Sequence, residues 1–230
     1  MLHTTKKLSS RKKTALKALS IVKPGTYSWF INKELHLTLA LHAKEYGEAY
    51  IILSSAINHH KFNSLRLSMK ERWLIHAAYV SFLVFIGKIN AKEDKIKKFK
   101  LGQFLNSIPT FSQDKRGLNI PILIIQILFM VVKKDYDQSI DRFDSIKKYC
   151  SRYLRKGENL RSNCFINMLL QIPASNFHKA RVEQKAKRYW DKLLITPLEV
   201  ASQATEIEII PYEDLWQFVL DSLEFKTFER

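Results

Sequence analysis

From Asn119 to Asp135 the chain reads NIPILIIQILFMVVKKD. Between Ile120 and Val132 only Gln126 is polar, and Pro121 alone lacks an amide hydrogen. A membrane span, a buried helix and a pair of core strands are the three readings of such a run. A span needs about 20 apolar residues, because a helix rises about 1.5 Å per residue across about 30 Å of hydrocarbon. The stretch from Leu118 to Val132 has 15 residues and includes two polar side chains. A second run, Trp73 to Ile86, has 14 and carries His76 and Ser81. Both lengths predict core helices and no membrane span.

The rest of the chain alternates apolar stripes with short breaks. Leu16, Leu19 and Val22 follow Ser9 and Ser10 at helical spacing, and Lys23-Pro24-Gly25 ends that helix. Trp29, Leu35, Leu39 and Leu41 predict a helix through about Ala43, followed by a second over about Gly47–Phe62. Further helices are expected over Lys70–Ile86, Lys92–Ser107, the 118–132 run and Asp137–Tyr153. Leu160–Gln171, Ser175–Leu194 and a last helix in YEDLWQFVLDSLE complete the set. EIEII, residues 206–210, alternates like a strand but has nothing to pair with, so it reads as extended linker. The prediction is an all-α fold of eight or nine helices, paired as antiparallel hairpins in an α-solenoid. A hairpin-repeat domain is expected over 1–194, with an acidic capping segment over 195–230.

A repeat underlies these hairpins. KEYGEAYIILSSAI carries Tyr46, Ala49 and Leu53, and KDYDQSIDRFDSI carries Tyr136, Ser139 and Phe143 at the same offsets. NFHKARVEQKAK opens the same way with Phe177 and Ala180, and Ile89 marks a weaker copy, so the turns fall at intervals of 43, 47 and 41. The aromatic closes the turn between two helices, the small residue lets them approach, and the bulky one fills the gap. This pattern resembles tetratricopeptide (TPR-like) repeats, in a degenerate or elongated form covering about residues 30–194. The chain looks most like the carboxy-terminal part of uncharacterised bacterial TPR-like proteins. The resemblance implies a groove that holds a protein or peptide. In such a stack the 118–132 helix is covered on several sides, which explains its apolar circumference.

Composition agrees with helices: glycine and proline number six each, too few for a turn-rich β fold. Two cysteines, Cys150 and Cys164, stand outside any CxxC pair and suit a reduced, cytoplasmic protein. The net charge of +16 divides unevenly, +22 before Glu199 and −6 from there on. That asymmetry predicts an acidic partner for the basic body, or an acidic tail folded back on it. The acid-free start before Glu34 also has the composition of a transit peptide, a minor alternative to the ordinary helix.

Candidate chemistry is sparse. No Walker loop, GxGxxG, GxSxG or HExxH occurs, and neither a cofactor nor a metal is expected. Asp137, Asp141 and Asp144 share a helical face that reads as solvated, with Asp144 four residues before Lys148. His59 and His60 are adjacent, so on a helix they point apart and chelate poorly; a helix-end position suits them better. His76 reads as a hydrogen-bonded core residue. The stronger candidates are basic clusters: Lys95 and Lys98; Arg152, Arg155, Lys156 and Arg161; and Arg181, Lys185 and Arg188 beside Trp190. These readings predict a non-enzymatic scaffold that binds a protein or peptide. Nucleic acid held by the basic surface is the alternative, separable by its steeper salt dependence.

Overall fold

The computed structural model describes residues 21–91, 102, 104, 119–134, 143–144, 147–148, 160–196, 198 and 208–224. Among them the regular elements are helical, and no strand occurs. Two compact units divide the chain, Met1–Ser112 and Gln113–Arg230.

The first unit contains α1 (Tyr27–His42), α2 (Tyr46–Ile57) and α3 (Leu67–Phe85). The Thr26 side chain caps α1 by accepting from the Trp29 N–H. Gly25 precedes this cap at φ +77°, and a Cβ there would lie 2.3 Å from the His59 ring, so only glycine fits. Trp29 meets His59, Lys33 meets Ser55, and His36 meets Glu48, which makes α1 and α2 antiparallel. Phe30 meets Trp73, Glu34 meets Arg72, and Thr38 meets His76, so α3 runs parallel to α1. The result is an up-down-up arrangement around Phe30, Leu37, Leu41, Leu53 and Trp73, all fully buried.

The second unit contains α4 (Asn119–Val132), α5 (Leu160–Leu169), the single turn α6 (Gln171–Ala174), α7 (Lys179–Ile195) and α8 (Tyr212–Glu224). The apolar run from Asn119 to Val132 is α4, buried on nearly its whole circumference from Asn119 to Phe129. Pro121 occupies its first turn, where amide donors have no partner within the helix. Burying its seven isoleucines and leucines, with Val131, at about 1.5–3 kcal/mol each is a large share of the unit's stability. No described helix is long and apolar enough to cross a membrane. Arg161 of α5 reaches the end of α7 while Ala174 lies beside Lys185, so α5 and α7 are antiparallel. The α8 helix, from the segment expected as an acidic cap, packs against α4, α5 and α7.

Several sequence expectations change at their edges. The second helix stops at Ile57 instead of about Phe62; Asn58 caps it and a 3-10 turn, Phe62–Ser64, follows. The helix expected from Ser175 begins at Lys179, because Asn176 and Phe177 adopt φ of +51° and +57° and break the chain. His59 and His60 therefore lie beyond the end of α2, and their rings stack at 4.4 Å instead of pointing apart. Glu208, Ile209 and Ile210, expected as linker, are buried. The predicted helices over 92–107 and 137–153 lie mostly outside the described residues; Gly102, Phe104, Phe143, Asp144, Lys147 and Lys148 are helical.

Candidate interaction surface

The corner that joins helices recurs with one backbone geometry. After α1, Lys44 takes φ +61°, its N–H donates to the Leu41 carbonyl, and the Glu45 N–H donates to that of Ala40. After α3, Gly87 at φ +72° and Lys88 repeat these bonds to Val84 and Leu83. Asn176 and Phe177 repeat them to Pro173 and Ile172, and Lys134 at φ +60° makes the first of the pair to Val131. This is the Schellman ending, which satisfies the last carbonyls of a helix by a left-handed turn. Lysine at Lys44 and Lys134 places a cation at the negative helix end.

The repeat residues sit on this frame unevenly. Tyr46 opens α2 half-buried, and Ala49 and Leu53 are fully buried. Ile89 and Phe143 are buried, while Tyr136 and Ser139 lie outside the described residues. The last copy departs. Tyr46 and Ile89 follow the Schellman pair by one residue, but Phe177 is itself the second member of its pair. The corner therefore falls one position later relative to the aromatic, and the buried helix positions fall two later. Ala180 is exposed, and Val182 and Ala186 carry the close packing instead. Conformation at the corner, which the aromatic spacing does not report, would have shown the shift.

Of the basic clusters, Lys95, Lys98, Arg152, Arg155 and Lys156 lie outside the described residues. Arg161 does not belong to any surface. It is 5% exposed, and its guanidinium donates to Glu208 through Nε at 2.9 Å and Nη2 at 2.8 Å. Nη2 also donates to both Glu213 oxygens at 2.7 and 2.8 Å. Nη1 donates to the Leu193 and Thr196 carbonyls at 3.2 and 2.7 Å, closing the end of α7. Glu208 in turn accepts from the Tyr212 N–H at 2.7 Å and so starts α8. Burial works against the Arg161 charge, but the two carboxylates outweigh it and hold the guanidinium above its usual range. Burial pushes the Glu208 carboxyl up, while Arg161 and the Tyr212 N–H pull it back. Ser162 and the Tyr212 hydroxyl, 2.8 Å apart, and the Phe165–Tyr212 ring stack complete the cluster. The acidic tail thus folds back onto one buried arginine, a contact between residues 47 and 52 apart in sequence that no local pattern announces.

Arg181, Lys185 and Arg188 lie on α7 and are exposed, as is Lys192. Their spacing of four, three and four puts them on one line, a residue's turn away from the buried seam Val182, Ala186 and Leu193. The Lys185 Nζ donates to the Ala174 carbonyl at 2.6 Å. The Arg188 guanidinium lies 4.5 Å over the Tyr189 ring and donates to its hydroxyl. Among the described residues no carboxylate pairs with any of the four cations; Asp191 is engaged by Lys187 off the line. Trp190 is half-buried on another side.

One arrangement in the first unit has the outline of a catalytic relay. His76 lies between Glu34 and Thr38, with Nε2 3.4 Å from the Thr38 hydroxyl. Its Nδ1 is 2.9 Å from the Arg72 carbonyl and 3.9 Å from Glu34, so the proton on Nδ1 serves the backbone. The Thr38 hydroxyl donates to the Glu34 carbonyl at 3.0 Å. With His76 and Glu34 both buried, the group ties α1 to α3.

No family model matches the chain, and no curated protein or solved structure matches it either.

Proposed function

We propose that the protein is a non-enzymatic interaction scaffold, a TPR-like α-solenoid of eight or nine helices in antiparallel hairpins that holds a protein or peptide. The observation that carries this reading is the recurrent corner. One left-handed ending closes α1, α3 and α6, and α4 takes the same turn at Lys134. A chain that repeats one hairpin unit gains an extended surface with each copy. The exposed α7 line, with Arg181, Lys185 and Arg188, is the part of that surface suited to an acidic partner. A cytoplasmic setting suits the buried thiol of Cys164.

A second reading, nucleic-acid binding, draws on the cations beside Tyr189 and Trp190. Affinity capture from source lysate separates the two. The scaffold reading expects one protein partner, recovered with or without nuclease and weakened only mildly by salt. Loss of all recovery on nuclease treatment, with a steep salt dependence, overturns it.

A further inference from the structure

We infer that the exposed cationic line of α7 is a docking track for an acidic helix of a partner protein. This rests on the scaffold reading and names the chemistry of its partner. Arg181, Lys185, Arg188 and Lys192 are all exposed, and Ile195, three residues on, continues the same line at 82% exposure. The line is about 21 Å long at the rise of an α-helix. Its alternation of four and three is the spacing that keeps one row of side chains facing a neighbouring helix laid alongside. A partner helix with acids at i, i+4, i+7 and i+11 therefore matches all four cations. Because the order four, three, four reads the same in both directions, either helix orientation fits the charges. Ile195 then offers an apolar end for a partner leucine.

An extended peptide repeats every second residue and drifts out of step along this line. A nucleobase would need an open aromatic face, and the Arg188 guanidinium covers that of Tyr189. The charges are available for a ligand: Lys185 and Arg188 are engaged only by neutral groups, and no described carboxylate neutralises the line. The track is also held firmly, since α7 is anchored at its end by Arg161 and along its seam by Val182, Ala186 and Leu193.

The test uses the full chain and fluorescence anisotropy with three labelled probes. These are a helical peptide with glutamates at i, i+4, i+7 and i+11 and leucine at i+14, a scrambled peptide of the same composition, and a short DNA duplex. The patterned peptide should bind at least about tenfold more tightly than the scrambled one, since several modest ion pairs act in register. The paired reversal Arg181→Glu and Arg188→Glu should remove at least about tenfold of that affinity. Lys187→Glu, off the line, should change it less than about twofold. Circular dichroism of the variants, all at exposed positions, checks that the helices remain. Equal binding of the two peptides, or binding of neither, overturns the track and leaves the scaffold reading standing. Preference for the duplex overturns both.

Discussion

The two units each bury a charged cluster, and they do so in opposite ways. In the first, Glu34 is 5% exposed at its side chain, but its partner Arg72 is 45% exposed, so the pair opens to water. The imidazole beside it, His76, is held neutral: burial pushes its pKa below the ordinary 6.5 against the pull of Glu34. In the second, the cation itself is at the centre. Arg161 is enclosed by Glu208, Glu213 and the last carbonyls of α7, with every guanidinium nitrogen engaged. An open pair keeps part of its hydration and gives up part of its strength; a closed one depends wholly on its partners. The difference also locates each contact in the chain. Glu34–Arg72 joins the parallel helices α1 and α3, whereas Arg161 gathers the ends of three helices through the acidic segment.

Removing the central cation is the strongest way to break this contrast. Arg161→Met should destabilise the second unit by about 3–5 kcal/mol, because it strands two carboxylates and the end of α7. Urea unfolding, with hydrogen exchange over 160–224, measures it. Arg72→Ala should cost the first unit less, about 1–2 kcal/mol, since water replaces the lost donor at Glu34. Equal losses in the two variants would show that the open and closed pairs do not differ.

The third measurement is pH dependence. His76 has a folded pKa below its unfolded value, so the unfolded chain takes up the proton first as pH falls. The neutral imidazole therefore contributes nothing adverse above 6.5 and a growing penalty below it, at most about 1.4 kcal/mol per pH unit. Stability of the first unit should fall on acidification from pH 7 to pH 5, and His76→Gln should flatten the fall. The fold of α5 to α8, followed by exchange in the same samples, should not respond to that substitution.

The smallest effects concern the corner geometry that recurs in each unit. Gly87→Ala should cost about 1 kcal/mol from the left-handed backbone alone, because nothing lies within 4 Å of the added methyl group. Lys44→Gly should change stability by less than about 0.5 kcal/mol, as relief of that strain is offset by a freer unfolded chain. Thermal unfolding of both variants reads these differences.

Much of the helical layout was legible from spacing. The apolar circumference of Ile120–Val132 pointed to a buried helix, and α4 is buried from Asn119 to Phe129. Ala49 and Leu53 were readable as close-packing positions because they fall at fixed offsets from Tyr46. The offset failed at Phe177, where the backbone turns one residue later relative to the aromatic, so that the aromatic itself adopts the left-handed conformation. The sharpest failure was Arg161. It stands beside Arg155 and Lys156 in a run that reads as basic surface, yet the fold encloses it.

The sequence by itself determined that the chain would be helical, where its apolar stripes lie, and that α7 would carry cations four and three apart. These follow from interactions within a few residues, which periodicity records directly. Only the tertiary structure decided which charges are spent inside and which remain outside. Arg161 and Arg181 look alike along the chain; one is enclosed because Glu208 and Glu213 arrive from about 50 residues away, and the other is exposed because no described carboxylate reaches it. Such meetings depend on where the helices stack, and no local pattern of residues encodes them.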